Sequence, residues 1–192
     1  MYPANPISLY DNNGNRKYLN NAERDRLYKV LKNEKRDKKL FYLMLFWSGA
    51  RISEILNLKT NSIDFSDKVV IIESLKKRRK GIYRQIPLPS YLLSELKAFV
   101  QNIKPDERIW RWSRRTASRY IKSAMASANI SGAQSSSKGL RHSFAVHCVL
   151  SKVPLTLIQK WMGHSSLSTT AIYLNIVGEE ERKFAKDIWK NR

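Results

Sequence analysis

The stretch GHSSLSTTAIY places His164 and Tyr173 close together near the end of a strongly basic chain. A phosphodiester can be cleaved without a metal if donors neutralise its non-bridging oxygens, a hydroxyl attacks in line and an acid protonates the leaving oxygen. The sequence holds residue types for all three tasks. Arg51 and Arg141 each head a short helical segment within an apolar frame, and the planar guanidinium fork suits bidentate phosphate binding. On residue types alone the alternatives stay open: Arg51 to Glu54 is also the spacing of an i, i+3 salt bridge, and Tyr173 is also a candidate core aromatic.

Other chemistries fit less well. Carboxylates that could hold Mg²⁺ do not cluster, and Glu179-Glu180-Glu181 sit where acids complement a helix dipole. His142 and His147 are not at the i, i+4 spacing of a helical zinc pair, so each reads as a packed or hydrogen-bonded core residue. GHSSL lacks the second glycine of G-x-S-x-G, so a serine hydrolase fails. No metal site is expected.

The candidate residues need elements to position them. Residues 1–20 carry Asn and Pro turn signals without sustained periodicity and read as an arm or linker, with the fold beginning after it. Asn20 or Asn21 can cap a helix whose Leu27, Val30 and Leu31 share a face, a second helix runs through Phe41, Leu45 and Phe46, and Ser48-Gly49 breaks the pattern. A short helix over 51–58 precedes the β-branched run Val69-Val70-Ile71-Ile72, and Tyr83-Arg84-Gln85-Ile86 completes a β-hairpin beyond a charged turn. Helical patterns follow at about 90–101, 114–127, 139–151, 155–162, 167–174 and 179–190, with Ser135-Ser136-Ser137 as a loop. The expected fold class is α+β, mostly α, with a small antiparallel β-sheet.

Charge narrows the partner. Lys and Arg number 36 against 16 Asp and Glu in 192 residues, a formal net charge of +20, dispersed among apolar residues and not gathered in a tail. That balance favours a nucleic acid over an anionic membrane. No segment reaches the roughly 18 apolar residues of a membrane span, and the polar start has no signal-peptide core. A cytoplasmic protein is expected. Cys148 is the only cysteine, which excludes an intrachain disulfide.

Three separated motifs then match one family in order. SGARISEILNL (48–58), KGLRHSFAVH (138–147) and WMGHSSLSTTAIYLN (161–175) resemble the motifs of the tyrosine recombinases, or phage integrases, from about residue 18 to the chain's end. The resemblance implies a tyrosine-recombinase-like catalytic domain with Arg51 and Arg141 as the paired arginines, His164 as the late histidine and Tyr173 as nucleophile. It places a general-acid lysine in the hairpin, where Lys76 is the choice and Lys77 the next candidate. The other cations there, Arg78, Arg79, Lys80 and Arg84, together with Lys77, are assigned to DNA contact. Glu54 takes the acidic position behind Arg51 that holds the guanidinium in place. Where many relatives carry His in H-x-x-R, this chain has Lys138, assigned to phosphate binding.

The implied reaction is site-specific cleavage and rejoining of double-stranded DNA through a 3′-phosphotyrosyl intermediate, without ATP, metal or other cofactor. A type IB topoisomerase-like activity and a DNA-binding accessory protein without cleavage are the alternatives. Residues 21–177 form the expected catalytic domain, standing without the helical DNA-binding domain that larger relatives carry ahead of it. Residues 178–192 form an expected C-terminal helix with Phe184, Ile188 and Trp189 near helical spacing, packing on a neighbouring protomer of a DNA-bound tetramer or on its own domain.

Overall fold

The computed structural model describes residues 8–74, 81–175, 181, 182, 185, 186 and 189. Lys76, Lys77, Arg78, Arg79 and Lys80 lie outside the described residues, as do Phe184 and Ile188. The described part of the expected C-terminal helix is helical, and Trp189 on it is 61% exposed.

Two helices open the body, the first amphipathic and the second largely apolar. Helix α1 (Asn21–Lys32) starts at a reciprocal cap: Asn20 Oδ1 accepts from the Glu23 amide at 2.8 Å, and Glu23 Oε2 accepts from the Asn20 amide at 2.9 Å. Helix α2 (Arg36–Ser48) is buried continuously from Leu40 to Phe46, which makes it the central element of the larger core. It ends because Gly49 adopts φ +58°, a left-handed conformation that glycine enters without a Cβ clash. Helix α3 (Ile52–Leu56) follows directly.

Three antiparallel strands, β1 (Ile63–Asp64), β2 (Val69–Glu73) and β3 (Tyr83–Pro87), pair in sequence order, with Val70 opposite Ile63 on one side and Ile86 on the other. The two-residue β1 has too few residues to show alternation and was not expected. Strand alternation turns Val70 and Ile72 of β2 inward, and Arg84 and Ile86 of β3 with them. Helices α4 (Ser90–Val100) and α5 (Arg114–Ser127) complete the larger core. Helix α6 (Ser137–Leu150) begins inside the serine run, because Ser136 Oγ accepts from the Gly139 amide at 3.0 Å and caps it. Helices α7 (Leu155–Met162) and α8 (Ser168–Ala171) and a 3-10 turn, Ile172–Leu174, finish the fold against a second cluster that includes Phe144, Val146, Ile158 and Met162.

The described residues 8–20 pack into the two clusters, which corrects their reading as an arm. Leu9, Tyr18 and Leu19 are each no more than 2% exposed, and the Leu19 amide donates to Ser143 Oγ at 2.6 Å. Asp11 organises the turn by accepting from the Asn13 and Asn15 amides, and Arg16 pairs with Glu23 at 2.9 Å. Turn chemistry dominates the segment's composition, while three scattered side chains anchor it.

Gly49 is also a point of close approach: a Cβ there would lie 2.2 Å from Phe144 Cδ1. Gly49→Ala is therefore expected to destabilise the fold by about 2–4 kcal/mol, from overpacking plus the left-handed backbone. Urea unfolding measures it, and a loss below about 1 kcal/mol would contradict this packing.

Candidate active site

The site is assembled around a carboxylate with no exposed side-chain surface. Glu54 Oε2 accepts from Arg84 Nη2 at 2.6 Å and from the Arg51 amide at 2.8 Å, and Oε1 accepts from Arg51 Nη1 at 2.9 Å and Arg84 Nη1 at 3.3 Å. Burial alone would push the Glu54 carboxyl up. Arg84 foremost, then Arg51, more than offset that, and the carboxyl is held below its ordinary range.

Arg84 therefore corrects one expectation. It was assigned to DNA contact with the basic hairpin turn, but strand alternation puts it on the inward face beside Ile86, 5% exposed. Its Nε donates to the Trp161 carbonyl at 2.7 Å and its Nη1 to Ser74 Oγ at 3.2 Å. One side chain thus ties β3 to α3 and to the end of α7. Gly163, at φ +62°, ends α7 so closely that a Cβ would lie 3.1 Å from Arg84 Nη1.

Arg51, at the start of α3, keeps 28% of its side chain exposed. Arg141 is more deeply set, on α6, where Nη1 donates to the Gly49 carbonyl at 2.7 Å and Nη2 to the Met162 carbonyl. These carbonyls end α2 and α7, the negative poles of two helices, so a cation is held there without a carboxylate. Burial first, then Arg51, lowers the Arg141 pKa to about 10, so the group remains charged at neutral pH. Lys138 is exposed one turn ahead of it on the same helix.

His164 and Tyr173 close the arrangement. His164 Nδ1 lies 3.0 Å from Thr170 Oγ1; burial, then Arg141 and Arg51, push its pKa down to about 3. The imidazole is neutral. Tyr173 is 1% exposed on the Ile172–Leu174 turn, with its ring 6.2 Å from that of His164 at an interplanar angle of 11°. Burial raises its phenol to about 12, partly opposed by Arg141 and Arg51. Arg51, Glu54, Arg141, His164 and Tyr173 are thus gathered in one region, and Lys138 borders it.

His142 was read only as a core histidine. It is buried, and its Nδ1 lies 3.0 Å from Tyr173 Oη. Its position directly after Arg141 was visible in the sequence, but the contact with the Ile172–Leu174 turn depends on tertiary packing. Among the described residues, no group of three or more His, Cys, Asp or Glu could hold a metal ion, and no helix is long and apolar enough to cross a membrane.

The cluster of buried, shifted groups has the character of a functional site. The model of the phage integrase family matches residues 17–180, nearly the whole described body. The chain belongs to the phage integrase family. Among similar proteins, the tyrosine recombinase XerA of Thermococcus onnurineus (strain NA1) is 31% identical over 177 residues, covering 87% of this chain and 61% of the relative. This integrase-family chain thus spans about three fifths of the length of curated relatives it matches. A crystal structure of XerA recombinase superimposes with a TM-score of 0.74 at 21% identity, over 88% of this chain and 64% of that one. XerH recombinase bound to its difH substrate, in a pre-cleavage complex, gives 0.72 at 19% identity, over 94% of this chain and 59% of that one. These likenesses establish the fold as that of tyrosine recombinases.

The two lowered histidines fix a pH dependence. Burial first, then Lys138, Arg141 and Lys17, lowers His142 to about 4, and His164 is lowered to about 3, both below the ordinary 6.5. Between those values and 6.5 the unfolded chain binds more protons than the folded one, so stability rises with pH there. The melting temperature should fall between pH 7 and pH 5, above the range where Glu54 protonates. Calorimetry at the two pH values checks this, and equal or higher stability at pH 5 would contradict the buried neutral imidazoles.

Proposed function

We propose that this chain is the catalytic part of a site-specific recombinase that cleaves and rejoins double-stranded DNA through a 3′-phosphotyrosyl intermediate. The observation that carries this reading is the gathering of Arg51, Arg141 and His164 around Tyr173. Three guanidiniums, those of Arg51, Arg84 and Arg141, stand against the single carboxylate of Glu54, so the site holds cationic charge in reserve for a phosphate. The formal charge of +20 suits a polyanion, and XerH site-specific recombinase, of the same fold, is solved bound to its difH substrate.

In the reaction, Tyr173 Oη gives up its proton to solvent and forms a bond to phosphorus as the bond to the 5′ oxygen breaks. Lys76 protonates that oxygen, while Arg51, Arg141, His164 and Lys138 bind the pentacoordinate phosphate. The 3.0 Å contact of His164 Nδ1 with Thr170 Oγ1 accommodates the tautomer in which the hydroxyl donates and the Nε2 hydrogen is available to a phosphate oxygen. The 5′-hydroxyl of a partner strand then reverses the step. The bond energy is kept in the phosphotyrosine, so neither ATP nor a cofactor enters. Lys77, Arg78, Arg79 and Lys80 contact the DNA backbone. Exchange of two strand pairs calls for a tetramer on DNA, with the stretch from 178 docking on a neighbour; the exposure of Trp189 supports this. Action on DNA is consistent with the cytoplasmic location expected from the sequence.

Trapping on a nicked duplex, selected for binding from a random pool, tests the reading. Tyr173→Phe should bind DNA as the unaltered chain does and form no denaturation-resistant adduct. Arg141→Ala should lose about a hundredfold in adduct rate, since one charged donor to the transition state is worth about 3 kcal/mol. Lys138→His should retain activity. Undiminished adduct from the Phe variant would remove Tyr173 as nucleophile; relaxation without exchanged products would instead mark a topoisomerase, and binding without any adduct an accessory protein.

A further inference from the structure

Beside the nucleophile, the catalytic scheme leaves a buried titratable side chain without a task. His142 is 6% exposed, its Nδ1 is 3.0 Å from Tyr173 Oη, and the two rings pack at 5.8 Å with an interplanar angle of 53°. Two histidines therefore flank the phenol, and only His142 bonds to its oxygen among the described residues.

The 3.0 Å contact fits a phenol that donates, with Nδ1 as the bare nitrogen and the ring hydrogen on Nε2. Nε2 is buried with no hydrogen-bond partner among the described residues. The titratable and charged groups facing the ring are Lys138 and Arg141 on its own helix, Lys17 from the N-terminal segment, His164 beyond α7 and Tyr173 itself. Burial first, then these three cations, opposes a protonated imidazole, and His142 meets the phenol as a neutral ring.

We propose that His142 is a positioning residue for the nucleophile, whose Nδ1 takes the Tyr173 hydroxyl hydrogen and holds the phenol in a buried resting position that must be released before attack. The inference rests on the reading of Tyr173 as nucleophile. A hydroxyl on a side chain only 1% exposed cannot touch a phosphate bound at the accessible Arg51, so the Ile172–Leu174 turn must shift. That shift separates Oη from Nδ1. A hydrogen bond of ordinary strength, made at rest and absent during attack, slows adduct formation about fivefold.

Two measurements test this. Imidazole ¹⁵N spectra of the free chain from pH 5 to pH 8 should show His142 as the neutral Nε2–H tautomer throughout, with its Nδ1 resonance displaced in Tyr173→Phe. On a nicked duplex, His142→Phe should form adduct about fivefold faster at unchanged DNA affinity. His142→Asn, whose amide oxygen can occupy the place of Nδ1, should return to the rate of the unaltered chain. An Nδ1–H tautomer, a resonance indifferent to Tyr173→Phe, or slower adduct formation in His142→Phe would each overturn the proposal. If His142→Phe does not fold, the spectra still decide it. An unaltered chain that forms no adduct would sink the recombinase reading, while the spectra separately report the contact.

Discussion

The site depends on one buried ion pair. Glu54 has no exposed side-chain surface, and its four hydrogen bonds come from Arg84 and Arg51. A carboxylate so placed is tolerated only when its lone pairs are filled and its charge matched. Because Arg84 reaches from β3 and also grips the Trp161 carbonyl, satisfying this one carboxylate fixes the sheet, α3 and the end of α7 relative to one another. Arg51 is oriented by the same group while part of its guanidinium faces outward. The pair does its structural work below the reacting surface.

Arg141 is handled by opposite means. A second buried carboxylate would neutralise it and weaken its hold on an anion; two helix-ending carbonyls direct the guanidinium and leave its charge uncancelled. Burial first, then the same excess of cations, keeps both histidines neutral, so they act through hydrogen bonds. Burial also keeps the Tyr173 phenol protonated, against the pull of Arg141 and Arg51.

Local signals made much of this legible. Helix periodicity, the Asn20 cap, the Gly49 stop and the β-branched strand announce themselves within a few residues, and motif order located Arg51, Arg141, His164 and Tyr173. What escaped depends on facing. Arg84 looked like one cation of a basic turn, although its i, i+2 relation to the inward Ile86 was the available sign of burial. Leu9, Tyr18 and Leu19 were masked by turn residues around them. The contact of His142 with Tyr173 joins residues on separate elements, and neither carries a local mark of the other.

A cycle of Glu54→Leu and Arg84→Met, alone and together, followed by unfolding free energy and adduct rate on a nicked duplex, addresses the dependence on this pair directly. Either single change should destabilise the fold by about 3–5 kcal/mol, because it leaves a buried charge or its partner alone. The double variant should regain most of that stability and still form adduct slowly, since Arg51 has lost its anchor. A double variant that is both stable and as fast as the unaltered chain would contradict the account.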